Sequence, residues 1–105
     1  MAPVRVASTS EIPAGSVSGF EVDGVMVAIA NVDGEFFAIH DVCSHAFAIL
    51  SEGDLDTEEC TLSCPMHGSA FDLRTGQPRS FPAFEPVPVY QVTVEGDDIF
   101  VDISS

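Results

Sequence analysis

The sequence predicts an all-β protein, built as a sandwich or small barrel of short antiparallel strands. Apolar and polar residues alternate along most of the chain, and a period of two is the signature of a half-buried strand. Turn-forming residues recur about every 8 to 12 positions, a spacing typical of short strands joined by tight turns. No window of about ten residues offers a convincing helical face, so helices are not expected.

The predicted strands follow one another through recognisable turns. Asp-Gly at 23–24 and again at 33–34 separates two alternating runs, and Asp-Gly in that position is a strong signal for a hairpin. Residues 8–15 form a loop dense in turn formers, and turns at 75–76 and 96–98 punctuate the C-terminal part. The predicted strands are residues 3–7, 17–22, 25–32, 35–40, 57–63, 69–73, 89–95 and 99–103.

Size and charge bound the function. At 105 residues and 11.1 kDa the chain has room for one small domain, residues 1–105. It carries 17 Asp and Glu against 3 Arg, a formal net charge of -14. Nucleic-acid binding requires cations that neutralise phosphates, so this charge argues against it, and it also disfavours docking on anionic membranes. A hydrophobic content of 46% with 8 Phe excludes a disordered acidic tail.

Neither a membrane span nor a secretion signal is expected. No run of about 18 apolar residues is present, and the N-terminus lacks a basic start followed by an apolar segment. We therefore expect a cytoplasmic protein, in a compartment where thiols stay reduced. Three cysteines, an odd number, are then more typical of metal ligands or buried thiols than of a disulfide framework.

Two irregular loops, at about 41–56 and 64–68, interrupt the strand pattern and contain the unusual residues of the chain. The first loop contains Cys43-Ser44-His45, and the second contains Cys64-Pro65-Met66-His67-Gly68. Each loop offers one thiol and one imidazole, as C-x-H and, after 18 intervening residues, C-x-x-H. Since loops on a rigid scaffold commonly carry function, we predict that these two Cys and two His ligate a metal.

Two kinds of metal site are compatible with this ligand set. A structural zinc site is one, but zinc fingers group like ligands together, as C-x₂₋₄-C and H-x₃₋₅-H around a helix. Here each loop mixes one Cys with one His, and no helix is expected. The mixed pattern favours a [2Fe–2S] cluster of the Rieske type, in which two thiolates hold one iron and two imidazoles hold the other.

With these motifs the chain resembles the Rieske-type ferredoxins of bacterial aromatic ring-hydroxylating dioxygenase systems, such as those for biphenyl, naphthalene and carbazole. The resemblance covers nearly the whole chain and implies an antiparallel β-sandwich with a small cluster-binding subdomain formed by the two loops. It further implies that Pro82, in a third loop at about 80–86, covers the cluster, and that Gly68 lets the backbone approach the sulfides. The resemblance is densest over these segments: Cys43-Ser-His45, Ser51-Glu-Gly-Asp-Leu55, Cys64-Pro-Met-His-Gly-Ser-Ala-Phe-Asp-Leu-Arg-Thr-Gly76, Pro82-Ala83 and Val87-Pro-Val-Tyr-Gln-Val-Thr-Val94.

The resemblance also implies how the four ligands divide. Cys43 and Cys64 would bind the inner iron, and His45 and His67 would bind the outer iron near the tip of the protein, with one cluster per chain. Two Fe³⁺, two S²⁻ and two thiolates sum to zero charge in the oxidised state. Reduction is therefore electrostatically easier than for a cluster with four thiolates, and the potential is higher.

Two departures from the respiratory Rieske pattern refine the expected potential. Respiratory proteins carry a further Cys in each loop, joined as a disulfide, where this chain has Ala48 and Met66. They also carry a Tyr where this chain has Phe71, so a hydroxyl that would donate to a ligand sulfur is missing. Fewer such hydrogen bonds stabilise the reduced cluster less. We expect a potential near the low end of the Rieske range of roughly −150 to +300 mV.

The expected function is that of a one-electron carrier, not of an enzyme. The family implies electrons arriving from an NAD(P)H-dependent flavin reductase and leaving to a terminal oxygenase, with the carrier acting as a monomer. A mononuclear oxygenase iron needs two His and a carboxylate, and only His40 remains beside the cluster ligands. No G-x-G-x-x-G is present to bind a nicotinamide cofactor. The small subunit of a nitrite reductase and a zinc-bound structural module remain as alternatives.

Other residues carry weaker signals. Cys60 lies in a predicted strand and is interpreted as a buried inert thiol. His40 is interpreted as structural or exposed, with an influence on the cluster or on docking as the alternative. Apolar residues in or beside the loops would shield the cluster or form a docking surface: Phe47, Met66, Phe81 and Pro82. An acidic run is interpreted as a solvated face, or as a surface that steers a basic partner: Asp54, Asp56, Glu58 and Glu59.

Overall fold

The computed structural model describes residues 3–43, 48–66, 69–79 and 85–103. These residues form nine strands and two single-turn 3₁₀ helices, so the predicted all-β class is confirmed. The strands are β1 (Val4–Ser8), β2 (Val17–Val22), β3 (Val25–Val32), β4 (Glu35–His40), β5 (Leu55–Asp56), β6 (Thr61–Ser63), β7 (Ala70–Asp72), β8 (Val89–Glu95) and β9 (Asp98–Asp102), and the 3₁₀ helices are Thr9–Glu11 and Leu50–Glu52. Over the same ranges, no helix has the length and apolar character needed to cross a membrane.

Six strands form one antiparallel sheet, in the order β1-β9-β8-β4-β3-β2. Both predicted Asp-Gly hairpins are present, because β3 pairs with β2 on one side and with β4 on the other. The turn residues have positive φ, 49° and 82° at 23–24 and 54° and 94° at 33–34, as the tight turns of two-residue hairpins require. The predicted closing hairpin is also present as the pair β8 and β9.

Strand β3 is buried on both faces along most of its length and separates two apolar clusters. Val27 and Ile29 face a cluster that residues of β2, β4, β8 and β9 complete. Ala28 and Ala30 belong to a second cluster, which contains residues of β6 and β7. Successive side chains of a strand point to opposite faces, so the small alanines of β3 receive the layer that carries the cysteine loops.

A three-stranded sheet, in the order β5-β6-β7, contributes to this second cluster. The predicted strand 57–63 is wrong in its first four residues, which form the turn between β5 and β6. Asp56 causes the turn, since its Oδ1 accepts the N–H groups of Glu58 and Glu59 at 3.0 and 3.1 Å. Cys60 then adopts a left-handed φ of 58°, which no strand residue has. The other predicted strands agree with the structure to within one residue at each end.

Gly76 precedes the third loop and contacts Val87, which follows that loop. Its φ is +78°, and a Cβ at this position would overlap the carbonyl oxygen of Val87. The N–H of Val87 donates to the carbonyl of Gly76 at 2.9 Å, so the two segments are also hydrogen-bonded. Gly24 has nearly the same φ, +82°, but a Cβ there would meet open space. The two glycines therefore separate the cost of the backbone conformation from the cost of close approach.

We predict that Gly76→Ala lowers the free energy of unfolding more than Gly24→Ala does. Gly24→Ala introduces only a left-handed alanine, at a cost of about 1 kcal/mol. Gly76→Ala adds the overlap with Val87, which should cost about 1 to 3 kcal/mol more. Urea denaturation of the two variants measures the difference. Equal losses would contradict the close approach at Val87.

Candidate metal centre

Cys43 and Cys64 begin two loops that are closed in the same way. The N–H of Cys43 donates to the carbonyl of Ala48 at 2.9 Å, and the N–H of Cys64 donates to the carbonyl of Ser69 at 2.7 Å. The backbones of the two cysteines are therefore held in the same way, each by a bond to the residue five positions later.

Both thiols are buried in the same apolar cluster. Cys43 is 5% exposed and Cys64 is 1% exposed, and they share the cluster with Ala48, Leu62 and Phe71. The cysteines of the chain are thiols, with no disulfide. A thiolate buried among apolar groups requires a compensating positive charge, which bound iron supplies. Two such thiols in equivalent loops fit the sulfur-ligated side of a [2Fe–2S] cluster.

The other predicted site residues lie outside the described residues: His45, His67, Gly68 and Pro82, together with Phe47 and Phe81. Their roles stay predictions. Over the described ranges, no group of three or more His, Cys, Asp or Glu is arranged to hold a metal ion. Two of the four predicted ligands, His45 and His67, lie outside those ranges.

The first loop stands on a short antiparallel ladder. The N–H of Leu50 donates to the carbonyl of Asp41 at 2.6 Å, and Val42 forms a bridge with Ile49. The Asp41 carboxylate extends this ladder, because its Oδ1 accepts the N–H of Ser51 at 2.7 Å and its Oδ2 accepts the Ser51 hydroxyl at 2.9 Å. Burial raises the pKa of Asp41, while the two hydrogen bonds from Ser51 lower it in part.

The far end of the first loop lies against the strand that leads to Cys64. A Cβ on Gly53 would overlap the carbonyl oxygen of Ser63, so a residue with a side chain cannot take this position without a backbone shift. The N–H of Ser63 donates to the carbonyl of Asp54 at 2.9 Å. Because Ser63 directly precedes Cys64, these contacts set the spacing between the two loops.

Sequence reasoning assigns no role to Asp41, Ser51 or Gly53. Gly53 carries only a weak signal, since an isolated glycine marks a close approach of backbones within a strand pattern, whereas glycine is common in loops. Asp41 carries no comparable signal, because an aspartate at the end of a strand is usually exposed.

The third loop is anchored at its start by Arg79. The N–H of Arg79 donates to the carbonyl of Ala70 at 2.6 Å. Its guanidinium pairs with Glu59 at 3.3 Å and with Asp72 at 3.4 Å. These ion pairs are partly exposed and contribute little to stability, so the backbone bond is the firmer attachment.

The contacts of His40 and the burial of Cys60 indicate structural roles for both residues. The N–H of His40 donates to the carbonyl of Pro88 at 2.9 Å, and its Nδ1 lies 3.3 Å from the hydroxyl of Tyr90. Cys60 is buried, and burial raises the pKa of its thiol. It lies in a turn and not in the predicted strand, yet the interpretation as a buried thiol holds.

Met66, in the second loop, is exposed. The acidic run at 54–59 is also exposed, as a solvated face should be. The four acidic side chains of this run and Arg79 line an open groove of about 740 Å³. Each of the three arginines contacts another side chain of this protein. Arg5 pairs with Asp98, Arg79 pairs with Glu59 and Asp72, and Arg74 lies over the ring of Phe37. The positive charges are thus engaged within the molecule.

The sequence model of the Rieske [2Fe–2S] domain matches residues 2–91. The chain belongs to the Rieske [2Fe–2S] family. The ferredoxin subunit of 3-phenylpropionate/cinnamic acid dioxygenase from Shigella boydii serotype 4 is 43% identical over 94 residues, which cover 90% of this Rieske protein and 87% of that subunit. The family indicates a Rieske cluster as the cofactor, as the loop pattern predicts, and not the alternative zinc site.

Two solved structures show the same architecture. The ferredoxin of carbazole 1,9a-dioxygenase from Nocardioides aromaticivorans IC177 is 39% identical with a TM-score of 0.93, covering 96% of this chain and 97% of that one. A complex of reduced oxygenase and oxidised ferredoxin in carbazole 1,9a-dioxygenase contains a chain that is 34% identical with a TM-score of 0.87, covering 94% of this chain and 91% of that one. The predicted Rieske-type fold is therefore confirmed.

Proposed function

We propose that this Rieske protein is a one-electron carrier ferredoxin of an aromatic ring-hydroxylating dioxygenase system. The observation that carries the proposal is the match with a dioxygenase ferredoxin subunit, over 90% of this chain and 87% of that subunit. The bound cluster supplies the chemistry, which is the uptake and release of one electron. The chain supplies the ligands and the apolar surroundings of the two thiols.

In this proposal Cys43 and Cys64 bind the inner iron, and His45 and His67 bind the outer iron. The equivalent backbone closure of the two cysteine loops supports the assignment of the thiols. Their burial in one apolar cluster supports it independently. The C-x-H and C-x-x-H pattern supports the assignment of the imidazoles.

The proposal treats residues 1–105 as a single Rieske domain with three loops around the cluster, at about 41–56, 64–68 and 80–86. The closure of the first two loops and the attachment of the third loop at Gly76 support this division. The carrier acts as a monomer in the cytoplasm, where its thiols stay reduced before the cluster is inserted.

The proposed electron path runs from an NAD(P)H-dependent flavin reductase, through this protein, to a terminal oxygenase. Its similarity to a chain in a complex of reduced oxygenase and oxidised ferredoxin supports the second step. The protein itself catalyses no substrate oxidation in this proposal. The sequence has 3 His, and the cluster takes two of them. His40 alone cannot complete a site that needs two His and a carboxylate.

The ligand assignment predicts a sharp contrast among the cysteines and among the histidines. Cys43→Ala and Cys64→Ala should abolish cluster binding, whereas Cys60→Ala, the matched control, should retain it. His45→Ala and His67→Ala should lose the mixed-ligand cluster, whereas His40→Ala should keep it. Iron and sulfide content and the visible spectrum of each purified variant measure the outcome. Full loading of a Cys64→Ala variant, or loss of the cluster in Cys60→Ala alone, would contradict the assignment.

Reconstitution tests the carrier function itself. We predict that a purified flavin reductase and terminal oxygenase of an aromatic ring-hydroxylating system hydroxylate their substrate only when the loaded protein is added. The apoprotein is the control, since it retains the surface but lacks the cluster. If the loaded protein instead supports electron delivery only to a nitrite reductase, the alternative nitrite reductase subunit is correct.

The missing hydroxyl at Phe71 predicts a low reduction potential. Voltammetry should give a value near the low end of the Rieske range of roughly −150 to +300 mV. Phe71→Tyr should raise the reduction potential, because a hydroxyl in the apolar cluster that contains Cys43 and Cys64 can donate to a ligand sulfur. Phe36→Tyr, in the other apolar cluster, is the matched control and should leave the potential unchanged. A wild-type value well above zero would contradict this explanation.

The net charge of -14 predicts that electron transfer depends on salt. A partner with a basic surface is steered toward an acidic one, and steering raises association rates by roughly tenfold or more at low ionic strength. Stopped-flow rates of reduction and of reoxidation should therefore fall as salt is added. Rates that do not change between low and high ionic strength would exclude steering.

A further inference from the structure

The two cysteine loops of this Rieske protein keep their positions with no disulfide between them, since every cysteine of the chain is a thiol. We propose that Asp41 and Ser51 are positioning residues, whose side-chain hydrogen bonds hold the base of the first loop and fix Cys43 in the geometry that the cluster requires. This inference rests on the proposed function, in which Cys43 is a ligand. We call the pair of hydrogen bonds between these two residues the Asp41–Ser51 clasp.

Among the described residues, the clasp adds two hydrogen bonds to two backbone bonds at the base of the first loop. Two backbone bonds close it, from Cys43 to Ala48 and from Leu50 to Asp41, at 2.9 and 2.6 Å. The clasp adds a bond of 2.7 Å from the Ser51 N–H to Oδ1 of Asp41 and a bond of 2.9 Å from the Ser51 hydroxyl to Oδ2. Hydrogen bonds to a carboxylate are stronger than those between neutral groups. The clasp is therefore a principal restraint on the segment that presents Cys43.

The clasp also lies against the large sheet. Asp41 is 1% exposed, and its N–H donates to the carbonyl of Met26 in β3 at 2.9 Å. Gly19 of β2 lies directly over the clasp, because a Cβ there would come within 2.5 Å of Oδ2 of Asp41 and 2.7 Å of Oγ of Ser51. Ser51 is half-buried, and both residues line an open groove of about 380 Å³. Asp41 is the buried partner, so the loss of the Ser51 hydroxyl removes one of the two hydrogen bonds to a buried carboxylate. The clasp thus attaches the first loop to a rigid part of the fold.

The same short segment connects the clasp to the second loop. Ser51 is two residues before Gly53, and Gly53 lies against the carbonyl of Ser63, the residue before Cys64. A displacement of Ser51 would therefore change the position of Cys43 and the spacing to Cys64 together. This continuity gives the clasp an effect on the cluster beyond its contribution to folding.

The test uses the loaded protein and its Ser51→Ala, Asp41→Ala and Asp41→Asn variants, with Ser16→Ala as the matched control. Ser16 also donates a side-chain bond, to the carbonyl of Pro13 at 2.6 Å, but in the loop before β2. The readouts are the EPR spectrum of the reduced cluster and the rate of visible bleaching in the presence of an iron chelator. Both report on the cluster, whereas a thermal melt reports on the fold.

We expect Ser51→Ala to shift the EPR g values and to accelerate bleaching roughly tenfold, which corresponds to one lost hydrogen bond. Asp41→Ala should have a larger effect, and the double variant should bleach no faster than Asp41→Ala alone, because the two residues act as one unit. Asp41→Asn keeps the shape and an acceptor for the Ser51 N–H but replaces charge-assisted bonds with neutral ones, so its bleaching rate should lie between those of wild type and Asp41→Ala. Ser16→Ala should match wild type.

Two results would overturn the inference. One is a set of variants that melt at lower temperature but keep wild-type g values and bleaching rates, since the clasp would then be purely structural. The other is additive effects of Asp41→Ala and Ser51→Ala in the double variant. If instead the wild-type protein binds no [2Fe–2S] cluster, the proposed function fails, and that failure is visible before any variant is compared.

Discussion

Gly53 contacts the backbone of Ser63, the residue before Cys64. This contact sets the distance between the two loops whose cysteines share the proposed metal centre. Both cysteines lie on the same apolar cluster only because the two loops meet there. Any side chain at position 53 would push the two loops apart. The backbone hydrogen bonds that close each loop then orient the thiols in equivalent ways.

The rest of the fold supports this meeting point from below. Strand β3 presents Ala28, Ala30 and Val32 to the cysteine layer. It presents Val27 and Ile29 to the opposite cluster, so one strand belongs to both halves of the molecule. Asp41 follows β4 and is hydrogen-bonded to Met26 at the start of β3. The first loop is therefore attached to the large sheet through the backbone at the start of β3, next to the buried part of that strand.

The parts of the fold that depend on local chemistry could be predicted from the sequence. Asp-Gly pairs select their turn type directly, so both hairpins of β2, β3 and β4 are found where the pattern places them. The two cysteine loops break the strand period, and that break marks the site. The turn before β6 was beyond the pattern, because Thr57 to Cys60 contains β-compatible residues and only the side chain of Asp56 bends the backbone there. Asp41 and Ser51 could not be assigned either, since their bond joins residues ten positions apart and depends on the space left by Gly19.

The central claim is that two thiolates and two imidazoles of this chain share one [2Fe–2S] cluster, and EPR of the purified protein tests it most directly. The account predicts a protein that is silent when oxidised and, after dithionite, gives a rhombic signal with an average g below the free-electron value. Pulsed measurements on that signal should resolve nitrogen couplings from two histidines, and the signal itself should be lost in His45→Ala and in His67→Ala. A colourless protein with stoichiometric zinc that also fails reconstitution with iron and sulfide, or a reduced cluster without nitrogen couplings, would contradict the account.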